Sequence, residues 1–257
     1  MDLIVQKYGG TSVGNTNKIK YIAKNIAKQK KKNKSIVVVV SAMAGETDRL
    51  DKITRKISKI PNEKEYDQVI SSGEKISAGL LSIALIELKI KAVSLDPSKF
   101  DLLTDDLHSK AKILSVGTKK IKSLLKDGFV VVIPGFQGIN SKGDVTTLGR
   151  GGSDLTAVAI ASALKANHCE LLKDDVDGIY TTDPRLYKSA KKINYISYPE
   201  MLEMSSLGSK VLQAKAVEYA NNLKVKLYVK STNKKTSKGT WVMDEKNIPI
   251  RERKIIT

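Results

Sequence analysis

The stretch Thr146-Thr-Leu-Gly-Arg-Gly-Gly-Ser-Asp-Leu-Thr-Ala-Val-Ala-Ile-Ala-Ser-Ala-Leu-Lys-Ala166 begins β-like, breaks at three glycines within four residues, and ends as a helix. The spacing of Leu155, Val158, Ala159, Ser162, Ala163 and Ala166 predicts one buried helical face. Ser153 or Asp154 is the expected N-cap, so the glycine turn offers free backbone N–H groups at the positive end of a helix dipole. Such a turn is an anion site. Arg150 adds a planar fork for a carboxylate or phosphate, and Asp154 a carboxylate that can orient a cation. A plain strand-to-helix turn with a capping serine accounts for the same residues, so the decision falls to the rest of the chain.

Outward from this stretch, strand-like and helix-like segments alternate. Strands are expected at residues 3–8, 35–40, 92–95, 129–133, 169–172 and 226–230, with a closing hairpin through Lys238-Gly-Thr-Trp-Val242. The uninterrupted β-branched run Ser35-Ile-Val-Val-Val-Val40 is the mark of a strand covered on both faces. Helices are expected from Asn15 or Thr16, from Thr47 to about Ser58, on either side of Ser71-Ser-Gly-Glu74, and near 118–126, 198–205 and 209–222, with a small hairpin excursion over 100–115. Alternation of this kind predicts an α/β fold with a mostly parallel sheet and helices on both faces. No repeat or linker divides residues 1–257, so one domain is expected.

Composition narrows the function classes. The chain has 257 residues and a formal net charge of +18, which raises nucleic acid as a partner. Only six of its 45 basic residues are arginine, and the one dense run, Lys28-Gln-Lys-Lys-Lys-Asn-Lys34, contains no aromatic to stack on a base. A solvated lysine surface is the reading, with no nucleic-acid partner. No apolar run approaches the roughly 20 residues of a membrane helix, no signal peptide opens the chain, and no membrane partner is expected. The lone Cys169 sits in a strand-like run and reads as buried. The expected location is the cytoplasm.

In parallel sheets ligands gather beyond the C-terminal strand ends. Loops 8–14, 41–47, 134–138 and 173–185 follow strands and join the glycine turn at 149–153. They bring Lys7, Ser41, Thr47, Arg150, Ser153, Asp154, Asp175 and Asp183, with Glu74 at a helix start. Cations, oriented N–H groups and a few carboxylates suit a phosphate ligand with a divalent metal. The familiar nucleotide motifs fail. Gly138-Ile-Asn-Ser-Lys-Gly143 has Asp144 where a Walker lysine belongs, Gly149-Arg-Gly-Gly152 lacks a third dinucleotide glycine, and His108 and His168 make no zinc cluster.

Seven ordered blocks carry a more specific resemblance. Val5-Gln-Lys-Tyr-Gly-Gly-Thr-Ser-Val13, Ser41-Ala-Met-Ala-Gly-Glu-Thr-Asp-Arg-Leu50, Ser72-Gly-Glu74, Gly135-Phe-Gln-Gly138, Thr147-Leu-Gly-Arg-Gly-Gly-Ser-Asp154, Val176-Asp-Gly-Ile-Tyr-Thr-Thr-Asp-Pro-Arg185 and Gly208-Ser-Lys-Val-Leu212 resemble the aspartokinases, over essentially the whole chain. The resemblance implies the amino-acid-kinase fold, a three-layer α/β/α sandwich, and ATP-dependent phosphorylation of the β-carboxylate of L-aspartate. That is the entry step to lysine, threonine and methionine synthesis.

Carried over by position, the resemblance implies that Lys7, Asp154 and Lys210 serve the chemistry. It implies that Thr47, Glu74, Arg150, Gly151, Gly152 and Ser153 hold the amino acid. Lys7, Tyr8, Gly9, Gly10, Ser41, Asp174, Asp175, Tyr180, Asp183, Pro184, Arg185 and Lys210 would border Mg-ATP, with no metal held by the protein alone. Asp154 is expected to orient the lysines, or else to help place Mg²⁺. Asp174 stands where many members have threonine, and Gln213-Ala214 where many have His-Pro. Members usually continue into C-terminal ACT regulatory domains, which these residues do not include. A homo-oligomer (a dimer) or a regulatory partner subunit is expected. N-acetylglutamate kinase, which shares the Lys-Tyr-Gly-Gly start, uridylate kinase, which shares the architecture, and a non-catalytic amino-acid-binding regulator are the alternatives.

Overall fold

A computed structural model describes residues 2–32, 34–174, 176–209, 211–233 and 238–252. Asp175 and Lys210, both expected at the site, lie outside the described residues.

The first half of the chain runs β1 (Leu3–Tyr8), α1 (Thr16–Lys30), β2 (Ser35–Val40), α2 (Glu46–Ile57), α3 (Glu63–Ile70), α4 (Ser72–Glu87), β3 (Ala92–Ser94), β4 (Leu102–Thr104), β5 (Ile113–Val116) and α5 (Lys119–Lys126). It continues through β6 (Val130–Pro134), β7 (Gln137–Ile139), β8 (Val145–Thr147), α6 (Gly152–Leu164), β9 (His168–Lys173), β10 (Ile179–Tyr180), β11 (Lys192–Ile193) and β12 (Tyr195–Ser197). The last elements are α7 (Tyr198–Ser206), α8 (Ala214–Asn222), β13 (Leu227–Ser231) and β14 (Thr240–Met243).

The main sheet has eight strands in the order β12-β14-β13-β9-β1-β2-β6-β3. All its pairings are parallel except β13 with β14. Strand side chains alternate between faces, and the two cores divide accordingly. Val5, Val37, Val39, Val131, Ile133 and Leu171 pack with α5, α6, α7 and α8. Ile4, Tyr8, Ile36, Val38, Val40, Val130 and Val132 pack with α1 and α4. Burial on both faces explains why these strands read as continuous apolar runs, and the three-layer α/β/α sandwich follows. Cys169 is fully buried in β9, as its surroundings in the sequence imply, and burial pushes its thiol well above the ordinary range.

Asn15 caps α1 by accepting from the Lys18 N–H, and Lys28 and Lys30 complement the dipole in its last turn. The helical stretch around Ser71 divides into α3 and α4 where expected. Four expectations change. The cap of α6 is Gly151 in the left-handed region at φ 76°, not Ser153 or Asp154, which fall inside the first turn. Its most deeply packed side chains are Ala157, Val158, Ile160, Ala161 and Leu164, while Leu155, Ser162, Ala163 and Ala166 are half-buried. A helix apolar nearly all round has no contrast from which periodicity could choose a face. The helix expected over 209–222 begins only at Ala214, so Val211 to Gln213 form a bend. Finally, the helical run Glu63–Glu87 is long and apolar enough to cross a membrane by length and composition alone, although half of it is buried in the fold.

The excursion over 100–115 grows into a second, four-stranded sheet of order β5-β4-β7-β8, because β7 pairs in parallel with β4. A buried carboxylate pins it. Asp67 on α3 is fully buried, and its Oδ2 accepts from the Ser109 N–H (2.9 Å) and the Thr147 N–H (3.0 Å). Its Oδ1 accepts from the hydroxyls of Thr147 (2.7 Å) and Ser109 (3.2 Å), and His108 Nδ1 lies 3.0 Å from Oδ2. This side chain joins α3, the 108–109 turn and β8 into one wall.

Candidate active site

Because β1, β2, β6 and β9 are parallel, their C-terminal ends share one edge of the sheet. The chain steps from β1 to β2 on one side and returns through β9 on the other, so the β1–β9 boundary is a switch point where a crevice opens. A cleft of about 610 Å³ lies there. Its lining includes Lys7, Ser41, Thr47, Arg150, Gly151, Gly152, Ser153 and Asp154 from the sequence expectation. It also includes Asp48, inside the 41–50 block, Gln213, where many family members have histidine, and Asp51, Tyr66 and Lys173, which belong to none of the seven blocks.

At the cleft floor the Lys7 Nζ lies 2.6 Å from Asp154 Oδ1, with side-chain exposures of only 8% and 4%. Lys173 Nζ approaches the other oxygen, Oδ2, at 3.8 Å. Burial alone would raise the Asp154 carboxyl, but the two ammoniums beside it hold it below its usual range. Lys7 reaches this position because it shares the sheet face of Val5, the face that α6 covers. Tyr8 points the other way. Its ring is buried among α1 and α4 core residues and its hydroxyl meets Gln6 Oε1 at 3.3 Å, so its side chain cannot border a ligand beside Lys7. Only its backbone faces the 41–45 loop, accepting from the Ser41 N–H.

The first turn of α6 sits close under the loop after β6. A Cβ on Gly135 would stand 2.8 Å from Ser153 Cβ, and one on Gly152 would stand 2.8 Å from the Phe136 ring. Both glycines are therefore contact requirements. The N–H groups of Arg150, Gly151 and Ser153 have no hydrogen-bond partner among the described residues. Together with the dipole of α6, they retain the anion-binding character expected of the turn.

Glu74, in the first turn of α4, does not line the cleft. It is buried beneath Ser41 and Ala42, with Oε1 accepting from the Ala42 N–H (3.0 Å) and Oε2 lacking any partner among the described residues. Burial pushes its carboxyl up to about 7, against the opposing pull of the Ala42 N–H, its own backbone N–H and the Lys7 charge.

The remaining expected nucleotide residues divide. Gly9 and Gly10 form the turn after β1, where the Gly10 carbonyl accepts from the Ala44 N–H. A Cβ on Gly9 would meet nothing closer than Lys7 Nζ at 3.8 Å, so packing leaves the space before that ammonium open. Asp174 is held by Lys18 Nζ at 2.5 Å and by the Asn233 side-chain amide, and Lys18 also donates to the Thr11 carbonyl. These bonds tie the glycine turn to the end of β9. Tyr180 donates to Asp177, while Asp183 and Arg185 pair with each other near the surface. With Pro184 they stand outside the lining of the cleft.

Among the described residues no three His, Cys, Asp or Glu side chains cluster to hold a metal ion.

A family model of the amino acid kinase family matches residues 2–231. The chain belongs to the amino acid kinase family. Within that family it is similar to the aspartate kinase of Stutzerimonas stutzeri (strain A1501), 50% identical over 229 residues that cover 89% of this chain and 55% of that protein. It is also 45% identical to the aspartokinase of Geobacillus stearothermophilus over 245 residues, 95% of this chain and 60% of the relative. The chain thus spans a little over half the length of the relatives it matches. Among solved structures, aspartate kinase from Synechocystis superposes with a TM-score of 0.81 at 44% identity, covering 94% of this chain and 40% of that one. E. coli aspartokinase III in complex with aspartate and ADP gives 0.81 at 28% identity, covering 94% and 64%. UMP kinase from Ureaplasma parvum gives 0.67 at 19% identity, covering 95% and 99%, a likeness of fold alone.

Proposed function

We propose that these residues form the catalytic unit of a cytoplasmic aspartate kinase, transferring the γ-phosphoryl group of ATP to the β-carboxylate of L-aspartate. The observation that carries this reading is the juxtaposition, in one cleft, of the buried Lys7–Asp154 pair with Arg150 and the open N–H groups of α6. The aspartokinase relatives and the aspartate-and-ADP complex of the E. coli enzyme supply the substrate and the nucleotide.

The chemistry needs little from the protein beyond charge and alignment. The substrate carboxylate is already ionised at neutral pH and attacks the γ-phosphorus without a general base. The bond from that phosphorus to the β,γ-bridging oxygen breaks, and its electron pair leaves with ADP. Lys7 offsets negative charge on the equatorial oxygens, and Asp154, 2.6 Å away, keeps that ammonium aimed. Arg150 and Ser153 grip the amino acid, with Thr47 at the opposite wall. Gly9 and Gly10 admit phosphate oxygens beside Lys7, and Ser41 borders the nucleotide. Magnesium, when bound on the phosphates, would supply further charge neutralisation.

The deciding experiment is ADP release with Mg-ATP and L-aspartate, N-acetylglutamate or UMP, with hydroxylamine to trap an acyl phosphate. Turnover with aspartate alone is expected. Folded protein that turns over only another acceptor, or none, would overturn the reading.

Two further results are expected. Arg150→Ala should raise the KM for aspartate by about 10- to 100-fold, the worth of a charge-assisted bidentate contact, with kcat changed little. Arg150→Lys should recover little of it, because an ammonium lacks the planar fork. An unchanged KM for both variants would remove Arg150 from the substrate site.

Glu74 gives a pH signature. In the proposed complex the substrate α-ammonium reaches Glu74 Oε2, the oxygen behind the Ser41–Ala42 wall that has no partner among the described residues, so binding competes with the proton that burial favours. The KM for aspartate should therefore rise roughly tenfold per pH unit below about 7 and level off above it, and Glu74→Gln should flatten that profile at a weaker value. The stability effect has the opposite sense. The folded-state pKa lies above the unfolded one, so the protonated carboxyl is favoured on folding, and that benefit is lost as pH rises through 7. Glu74→Gln should accordingly unfold less readily than the parent at pH 8, by roughly 2–4 kcal/mol, and equally at pH 4. A pH-independent KM in the parent would exclude Glu74 from ammonium binding.

A further inference from the structure

Phe136 holds a backbone conformation that a large side chain takes only when its surroundings compel it. Its φ is 70°, in the left-handed region, and it is the one aromatic among the described non-glycine residues found there. Lys89, Lys165 and Lys224 share that conformation just past the ends of α4, α6 and α8, where left-handed geometry closes a helix. Phe136 closes no helix. It stands in the two-residue link Gly135-Phe136 between β6 and β7. Its N–H donates to the Thr156 hydroxyl (3.1 Å), which itself donates to the Gly152 carbonyl (3.0 Å), and its own carbonyl accepts from the Leu148 N–H (2.9 Å). Thr156 is fully buried in α6, so the link is locked from the helix side. The ring is pressed against the first turn of α6, where a Cβ on Gly152 would stand 2.8 Å from it. It also lines the cleft, where Phe136 and Ile70 are the two side chains of the described lining, glycines aside, that carry no polar atom. Backbone strain held in place at a ligand cleft points to a side chain kept for its function.

We propose that Phe136 is a specificity-determining residue, whose ring limits the acceptor to an amino acid with one methylene between its α-carbon and its reacting carboxylate. The proposal rests on the aspartate kinase reading of this cleft. Arg150 and Ser153, the residues given to the amino acid, bracket Gly152 in the chain, so a ring seated on Gly152 is seated beside the bound acceptor. The charged ends of the acceptor take Arg150, Ser153 and the open N–H groups, and its methylene is the apolar part left to face Phe136. Because the link is hydrogen-bonded on both sides of the residue, the ring cannot move aside with its backbone. A second methylene in the acceptor must either collide with the ring or carry the reacting carboxylate away from Lys7, and a displaced nucleophile loses its in-line attack. One methylene against an apolar wall is worth roughly 10- to 200-fold in discrimination.

The competing role is structural, in which the ring merely packs α6 against the β6–β7 link. Phe136→Gly removes the ring and suits the left-handed backbone, so it is the substitution that the local geometry tolerates best. In the ADP-release and hydroxylamine assay the parent should prefer L-aspartate to L-glutamate by at least roughly 20-fold in kcat/KM. Phe136→Gly should lower that ratio at least roughly tenfold, with the value for glutamate rising. Lost packing alone would slow both acids alike and leave the ratio unchanged. Phe136→Leu keeps a shorter apolar wall and should lower the ratio by at least roughly threefold, and it decides the matter if the glycine variant does not melt cooperatively. Calorimetric binding of the two acids is a second readout that needs no turnover. The parent should bind L-aspartate at least roughly tenfold more tightly than L-glutamate, and the substitution should narrow that gap by tightening glutamate. A parent that takes both acids alike or binds neither, a ratio that moves by less than these margins, or one that falls only because aspartate is lost would each overturn the assignment. Should the parent chain phosphorylate no aspartate, the functional reading fails by itself, and the binding contrast still decides Phe136.

Discussion

Lys7→Met is expected to cut phosphorylation of aspartate by at least ~1,000-fold, the effect of withdrawing a buried preorganised charge from the transferring group. The loss should fall on kcat, because in the proposed mechanism the ground-state grip on the amino acid comes from Arg150 in the glycine turn and Ser153 in the first turn of α6. Stability should fall as well. Asp154 is 97% buried, and without Lys7 the one ammonium facing it among the described residues is the more distant Lys173. Breaking a buried pair from one side costs about 3–5 kcal/mol, and the residual lysine should keep the cost at the lower end, a fall in Tm of roughly 5–10 °C. Lys7→Met with Asp154→Asn separates the two effects. The double variant should regain most of the melting temperature and none of the turnover. A Lys7→Met protein within tenfold of the parent rate would end the mechanism, and a double variant no more stable than Lys7→Met would show that charge burial is not what the pair relieves.

Asp67→Ala should produce the largest purely structural effect. Five donors converge on this one carboxylate, two of them backbone N–H groups, and Thr147 is itself almost fully buried. Removing the acceptor strands the two buried Thr147 donors without water, at about 1–3 kcal/mol each, while the half-buried Ser109 and His108 donors can turn to solvent. Relaxation around the vacated side chain should hold the total near 3–5 kcal/mol, read as a lowered denaturation midpoint in urea with an unchanged slope. Asp67→Asn keeps one acceptor oxygen and should cost about half as much. Because Ser109 and Thr147 also line the cleft, the Ala variant should weaken aspartate binding before it unfolds. A destabilisation below 1 kcal/mol would mean that the α3–β8 wall stands without its pin.

The contrast between these residues marks what was legible beforehand. Lys7 sits in a glycine-flanked block that announces a strand end and a ligand, and the alternation of strands with helices announces the layered sheet. Asp67 lies in Glu63-Lys-Glu-Tyr-Asp-Gln-Val-Ile70, which reads as a solvated amphipathic helix. Nothing in that segment says that its second wall is β8, eighty residues away. Lys173 is invisible for a similar reason. Its face on the sheet depends on the register of β9 against β1, and register is a property of the pair. Tyr8 shows the same limit in reverse, since belonging to the motif did not give it the side that Lys7 faces.

The opening stretch divides the same way. Its sequence alone determined a strand, a glycine turn and a helix with an anion-binding start, because those depend on local backbone freedom and on the dipole of the first turn. Only the tertiary structure decided that Gly151 rather than Ser153 ends the turn, and that Asp154 is spent on two lysines from neighbouring strands rather than on its own helix. A buried carboxylate must take the strongest partners within reach, and which partners are within reach is set by the packing of α6 on β1 and β9.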